Sequence, residues 1–187
     1  MDACLPGIAA KVRLAILPLL LSFLTGCWYS EEPLIDVNNA SVIPFVGKYV
    51  DPEKAGTPME IAAGPDRSYD LIATDSTLHA YFFELGEGWY VYQMKLQKDR
   101  EPGPGEEQPP MYLYNLMKQS DGNLYIYSPK CDEETAKIHG IEDDGHDGCR
   151  IKTVKALKKA ARRLSGEIDR NPGTGEPDVL RPWPEEE

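Results

Sequence analysis

Residues 111–128 read MYLYNLMKQSDGNLYIYS, and this stretch decides the fold because it predicts a complete β-hairpin. Asp121-Gly122 stands between two apolar runs and is a favoured pair for a two-residue type I′ turn. Such a turn places Leu116 opposite Tyr127 and sorts the side chains into two faces. One face carries Tyr112, Tyr114, Leu116, Tyr125 and Tyr127, and the other carries Leu113, Met117, Leu124 and Ile126. Because both faces are apolar, we expect a sheet that is covered on both sides, or one that curls with its aromatic face in a groove.

Further strand signals precede this hairpin, in short runs separated by Gly, Pro and Asp clusters. They cover residues 47–50, 59–63 and 69–74, and a second hairpin joins 78–85 to 89–96 through a glycine-containing loop.

One helix is predicted, and it comes late in the chain. Thr153 is a suitable N-cap, Gly166 stands where a C-cap would, and apolar residues recur between them at spacings of three and four. The sequence therefore predicts an α+β fold: a curved antiparallel β-sheet of about six strands, one C-terminal helix packed on it, and one disulfide.

The charge balance excludes one class of partner. The 187 residues contain 20 Lys and Arg against 31 Asp and Glu, for a formal net charge of −11. Nucleic acid is therefore not an expected partner, because phosphate binding needs a positive field. Seven basic residues and no acidic one lie within residues 150–163, so the predicted helix is basic. Such a face is by default solvated; it could also dock internally, touch anionic headgroups or meet an acidic partner.

The N-terminus has the pattern of an export signal. Lys11 and Arg13 precede an apolar run over residues 14–24, which is shorter than the ~20 residues of a transmembrane helix and has the length of a signal-peptide core. The run ends in Leu24-Thr25-Gly26-Cys27.

These last four residues resemble the lipobox of bacterial lipoproteins, which is Leu, a small residue, Gly or Ala, then Cys. The resemblance covers residues 1–27 and implies that Cys27 carries a diacylglyceryl thioether, that a peptidase cuts after Gly26, and that the new amine is acylated, for example with palmitate. It also implies a periplasm-facing protein of the cell envelope, and Trp28 after the cysteine favours the outer over the inner membrane. An ordinary secretory signal or an uncleaved anchor is the alternative.

The remaining cysteines predict a disulfide. Of four cysteines, one leaves with the signal peptide and Cys27 carries lipid, so Cys131 and Cys149 remain. In an oxidising compartment two remaining cysteines indicate one disulfide. The alternative is a metal site that adds His139 and His146 to the two thiols.

Four segments follow from these patterns. Residues 1–26 are a signal peptide, 27–44 a lipidated tether, 45–168 a single β-rich domain with its C-terminal helix, and 169–187 a disordered tail rich in Pro and Glu.

No catalytic, cofactor-binding or metal residue is predicted. The acidic loop at 142–148 fails as a calcium loop, because the twelfth position counted from Asp143 is Val154 rather than Glu. No nucleophile motif or phosphate-binding loop occurs, so an enzyme is not expected. The tyrosine face of the hairpin could bind a ligand, although packing is the simpler role.

The sequence therefore predicts a membrane-anchored bacterial lipoprotein without a cofactor. We expect a non-enzymatic binding or assembly-support protein whose partners are the bilayer, through acylated Cys27, and an envelope protein. The alternative is a periplasmic inhibitor or ligand-binding β-domain, for example one that neutralises a cationic hydrolase such as lysozyme.

Overall fold

Eight antiparallel strands close into a β-barrel. The structure, a computed structural model, describes residues 28–53, 58–96, 110–145 and 148–184. The barrel strands are β2 (Gly47–Val50), β3 (Pro58–Ala63), β4 (Ser68–Ala73), β5 (Ser76–Gly86), β6 (Trp89–Lys95), β7 (Tyr112–Ser120), β8 (Asn123–Tyr127) and β11 (Asp178–Pro182). They follow one another around the barrel in this order, and β11 pairs with β2 to close it.

Three short strands and two helices flank the barrel. Strands β1 (Trp28–Ser30), β10 (Cys149–Ile151) and β9 (Ile141–Asp143) extend the sheet from the first residues of β7, whereas β8 pairs with its last residues. Helix α1 (Glu133–Ala136) is a single turn, and α2 (Val154–Arg170) has 17 residues.

The predicted α+β class, with a curved antiparallel sheet of about six strands, is wrong: the fold is mostly β, and eight strands close into a barrel. The barrel strand that the sequence analysis did not predict is β11, which pairs with β8 on one side and β2 on the other. It lies in the segment predicted to be a disordered tail, where flanking Pro and Gly residues obscure a run of only five strand residues. Residues 169 and 170 of that segment belong to α2.

Both predicted hairpins are present, and both turns use an acidic residue followed by glycine. Leu116 lies opposite Tyr127, as predicted. Asp121 and Gly122 have φ of 52° and 77°, and Glu87 and Gly88 between β5 and β6 have 54° and 77°. Positive φ at both positions is the type I′ geometry, whose twist matches that of the flanking strands. A side chain at Gly88 would also lie 2.7 Å from the Gln119 carbonyl oxygen, so that position requires glycine.

The barrel interior is filled with side chains, and we call it the interior core. Alternate strand positions point inward, as eight strands leave just enough room for side chains to fill. Phe82 lies at its centre, with ring centroids 5.7 Å from Phe45, 5.5 Å from Tyr69 and 5.3 Å from Tyr92. The core also contains Tyr49, Ile61, Leu71, Tyr90, Met117, Leu124 and Leu180.

A second cluster, the outer core, lies between helix α2 and the outside of the barrel. Thr153 caps the helix as predicted, accepting a hydrogen bond from the Ala156 amide at 3.2 Å. Leu157 and three alanines of the helix are buried against Val91 and Leu116. Gly166 does not end the helix, which continues to Arg170.

The predicted tether over residues 27–44 is also corrected, for the part from Trp28 onward. Trp28, Ile35, Ala40 and Ile43 are all buried. The segment starts in the outer core with Trp28 and Ile35 and ends in the interior core with Ile43. Its irregular pattern hid this role, because a chain that crosses between two cores has no constant apolar period. The predicted signal peptide and Cys27 lie outside the described residues.

Candidate functional site

Trp28, directly after the predicted lipid attachment residue, is a paired strand residue of the fold. Trp28 pairs with Cys149 in parallel and with Tyr114 in antiparallel register. Its indole Nε1 donates a hydrogen bond to the Lys130 carbonyl oxygen at 3.1 Å. The first residue after Cys27 is therefore fixed on three sides.

The predicted disulfide, Cys131–Cys149, is present, with the two Cα atoms 5.0 Å apart. It joins the chain that leaves β8 to strand β10, next to Trp28. The alternative metal site is therefore not formed, because both sulfurs are bonded to each other. His139 is exposed, and His146 lies outside the described residues.

Gln93 holds the N-terminal segment to the barrel wall. Its Oε1 accepts hydrogen bonds from the amides of Leu34 (2.7 Å) and Ile35 (2.9 Å) and from the Tyr114 hydroxyl (3.0 Å). Its Nε2 donates to the Ile35 carbonyl oxygen at 2.9 Å. The buried amide thus does for this segment what a strand partner would do, since buried backbone groups need partners.

The predicted tyrosine face is a packed surface rather than a free one. Tyr114 is buried under β1, and burial raises its pKa to about 12 although its hydroxyl is hydrogen-bonded to Ser30 at 2.6 Å. Tyr127 is half-buried, with its ring centroid 5.4 Å from that of Trp89. The tyrosine face is therefore fully covered at Tyr114 and only partly covered at Tyr127.

Helix α2 presents a line of cations to solvent, which we call the basic stripe: Lys155, Lys158, Lys159 and Arg162. Positions three and four apart share one helix face, so the four side chains are neighbours. The Lys158 ammonium lies 3.7 Å from the centroid of the Phe83 ring. Among the described residues, Lys155, Lys159 and Arg162 form no ion pair. The stripe lines a shallow surface depression together with Val154.

Two ion pairs fix the same helix at other positions. Asp169 accepts hydrogen bonds from Trp89 Nε1 (2.9 Å) and Lys118 Nζ (2.5 Å). Burial alone would raise the pKa of Asp169, but these two donors outweigh it and hold the pKa below its ordinary value. Burial would likewise raise the pKa of Asp132, but hydrogen bonds from Arg163 and Thr135 hold that pKa below its ordinary value.

A groove of about 570 Å³ runs between α2 and the chain that follows β8. Tyr127, Leu164 and Ile168 supply the apolar lining, and Gly175 lies beside the Tyr127 ring. Its charged lining contains Lys130 and four carboxylates, and Arg163 pairs with two of these, Asp132 and Glu167; the other two are Glu176 and Asp178. The groove suits a ligand group that is both apolar and cationic.

The described residues hold no cluster of three or more His, Cys, Asp and Glu side chains that could bind a metal. His79 Nδ1 lies 2.9 Å from an Asp70 carboxylate oxygen in an exposed cross-strand pair. Among the residues that the structure describes, neither helix has the length and apolar composition needed to cross a bilayer.

Comparisons with protein-family models, with curated proteins and with solved structures give no match for this chain. The features described above therefore carry the functional argument alone. Two of these features were not predicted from the sequence, the role of Gln93 and the groove. Gln93 hydrogen bonds Ile35, which is 58 positions away, and the groove forms only because β11 pairs with β8.

Proposed function

We propose that this chain is a lipid-anchored protein of the bacterial envelope that presents a non-enzymatic binding domain at the membrane surface. The observation that supports it best is the packing of the residue next to the predicted lipid site. Processing at the lipobox would leave Cys27 as the first residue, and Trp28, which follows it, is buried and paired with strands on both sides. The disulfide also suits an exported protein, because such bonds persist in oxidising compartments.

The chemistry of the domain favours binding over catalysis. Strongly raised pKa values belong to Tyr92 and Tyr114, whose cause is burial in the two cores. The lowered carboxylate pKa values belong to surface ion pairs that fix helices and strands. Perturbed groups in a catalytic site would instead converge in one cleft.

The test of the anchor is the Cys27→Ser variant, with Cys4→Ser as the matched control. We expect palmitate labelling and membrane recovery to be lost in Cys27→Ser and kept in Cys4→Ser, since only the first removes the acylated thiol. Separation of inner and outer membranes then tests the preference for the outer membrane that Trp28 suggests. A Cys27→Ser protein that still labels and pellets with membranes would contradict the proposal.

The acidic groove supports a second candidate, a periplasmic domain that binds and inhibits a cationic hydrolase such as lysozyme. Glu176 and the aromatic wall of the groove suit a basic side chain of such a partner. We expect Glu176→Lys to weaken inhibition of lysozyme, and Asp75→Lys, an equal charge change in the turn between β4 and β5, to leave it unchanged. Equal inhibition by both variants, or none by the parent, would rule out this candidate.

A further inference from the structure

We propose that the basic stripe binds the anionic phospholipid headgroups of the membrane that holds Cys27. The inference rests on the proposed lipid anchor and adds the orientation of the domain and its second membrane contact. Leu157, Ala160 and Ala161 are buried on the opposite side of the helix, so α2 is already fixed before any contact forms. The cations therefore meet a surface without the cost of ordering a segment.

Trp28 and the basic stripe belong to the same side of the barrel. Trp28 is part of the outer core, together with Ala156, Leu157, Ala160 and Ala161 of α2. No spacer separates it from Cys27, so acyl chains on Cys27 would hold this side of the domain at the leaflet.

One exposed valine, Val42, follows a residue that is bonded on both sides of Phe83. The exposed large hydrophobic residues of the described chain are Val37, Val42 and Val46, all in the segment that follows β1. The Ser41 amide donates to the Phe82 carbonyl oxygen at 2.7 Å, and the Ser41 hydroxyl accepts from the Glu84 amide at 3.0 Å. Phe83, between these two partners, is the residue under the Lys158 ammonium. Cations with an exposed valine on the neighbouring segment form the kind of surface that binds a headgroup layer.

The charge of the whole chain makes the orientation specific. Its net charge of −11 repels an anionic leaflet, so most of the surface avoids contact. The basic stripe is the exception, and the anchor raises the local concentration of headgroups around it. An anionic leaflet should therefore select this one face of the domain.

The experiment measures which lysines the membrane protects. Full-length lipidated protein, whose diacylglyceryl group is first verified by intact mass, is inserted into vesicles of phosphatidylcholine, with or without roughly one-third phosphatidylglycerol. Lysines are then acetylated briefly and quantified by mass spectrometry. Lys48 is the internal reference, because it is exposed on β2, four strands from β6 in either direction around the barrel.

We expect acetylation of Lys155 and Lys159, relative to Lys48, to slow about fivefold on the anionic vesicles and to recover at about 0.5 M salt. Arg162→Glu combined with Lys155→Glu should restore labelling of Lys159, and Arg181→Glu, a charge reversal on β11 beside β2, should not. Equal labelling on both vesicles would overturn the inference while the lipidated Cys27 stands. Protection in cells but not on vesicles would also overturn it, in favour of an acidic protein. A protein without lipid on Cys27 would instead refute the proposed function itself.

Discussion

The interior core and the outer core are held together in different ways. The interior core packs aromatic and aliphatic side chains mostly from alternate positions of regular strands, which satisfy their own backbone groups. Only Ile43 and Phe45 join it from the irregular segment, where the hydroxyls of Tyr69 and Tyr49 bond their backbone. The outer core joins a helix, three short strands and the rest of that segment, so it also depends on Gln93, the disulfide and the contacts of Asp169. Both cores therefore use specific polar contacts where the chain is irregular, and the outer core has more irregular chain to hold.

The largest loss of stability is expected from Phe82→Ala in the interior core. Phe82 is fully buried and contacts three other rings, so truncation leaves a cavity that surrounding strands cannot fill. We expect a loss of about 3–5 kcal/mol in the free energy of unfolding, measured in urea. Phe83→Ala, one position along on the half-buried outer face, should cost clearly less. Equal losses at both positions would mean that the interior core is not the better packed of the two.

Leu157→Ala tests the outer core in the same way. Leu157 is the buried leucine of α2, and we expect a loss of about 2–5 kcal/mol. Fluorescence and far-ultraviolet circular dichroism should report one shared transition if the two cores unfold together. Separate transitions would show that the helix layer melts first. A variant as stable as the parent would mean that α2 adds nothing to the core.

Gln93→Leu asks how much the polar contacts of the outer core contribute. The change leaves the amides of Leu34 and Ile35 and the Ile35 carbonyl without their partner. Each buried group left unsatisfied costs about 1–3 kcal/mol, and some will reach water, so we expect a loss of about 2–4 kcal/mol. Hydrogen exchange should accelerate in residues 34–36 first. Gln119→Leu, on the neighbouring strand, is the control, and a loss no larger than its own would contradict the assigned role of Gln93.

Alkaline pH tests one tyrosine in each core. Burial raises the pKa of Tyr92 and of Tyr114 from 10.0 to about 12, so the folded state keeps protons that the unfolded state releases. The contribution of these two protonated tyrosines to the free energy of unfolding is complete below pH 10. It is lost as the pH rises towards 12, by about 2–3 kcal/mol for each residue. Urea unfolding across this range should show that Tyr92→Phe is less sensitive to pH than the parent. The same pH dependence in both proteins would place Tyr92 in contact with water.

The part of the fold that was predictable is the part with local signals. Asp121-Gly122 fixed the register of β7 and β8, and the cysteine count gave the disulfide. Strand β11 was missed because it has few apolar residues and gains its stability from partners on both sides. The burial of Trp28 and Ile35 was missed because their partners, Cys149 and Gln93, are distant in sequence. Closure of the barrel is likewise a long-range property, which no window of sequence contains.

The smallest effect is expected at the basic stripe, which belongs to neither core. Arg162 is exposed and forms no ion pair in the described structure, so Arg162→Glu should change stability by no more than about 0.5 kcal/mol. Lys158→Glu also removes the cation from above the Phe83 ring, a contact worth about 0.5–1 kcal/mol, and should cost that much. Thermal unfolding of the two variants beside Leu157→Ala compares opposite faces of one helix. A cost near that of Leu157→Ala for either reversal would make the stripe part of the fold. If both charge reversals leave stability almost unchanged, the cations have no structural role. A binding role at the membrane would then explain why they lie on one face of the helix.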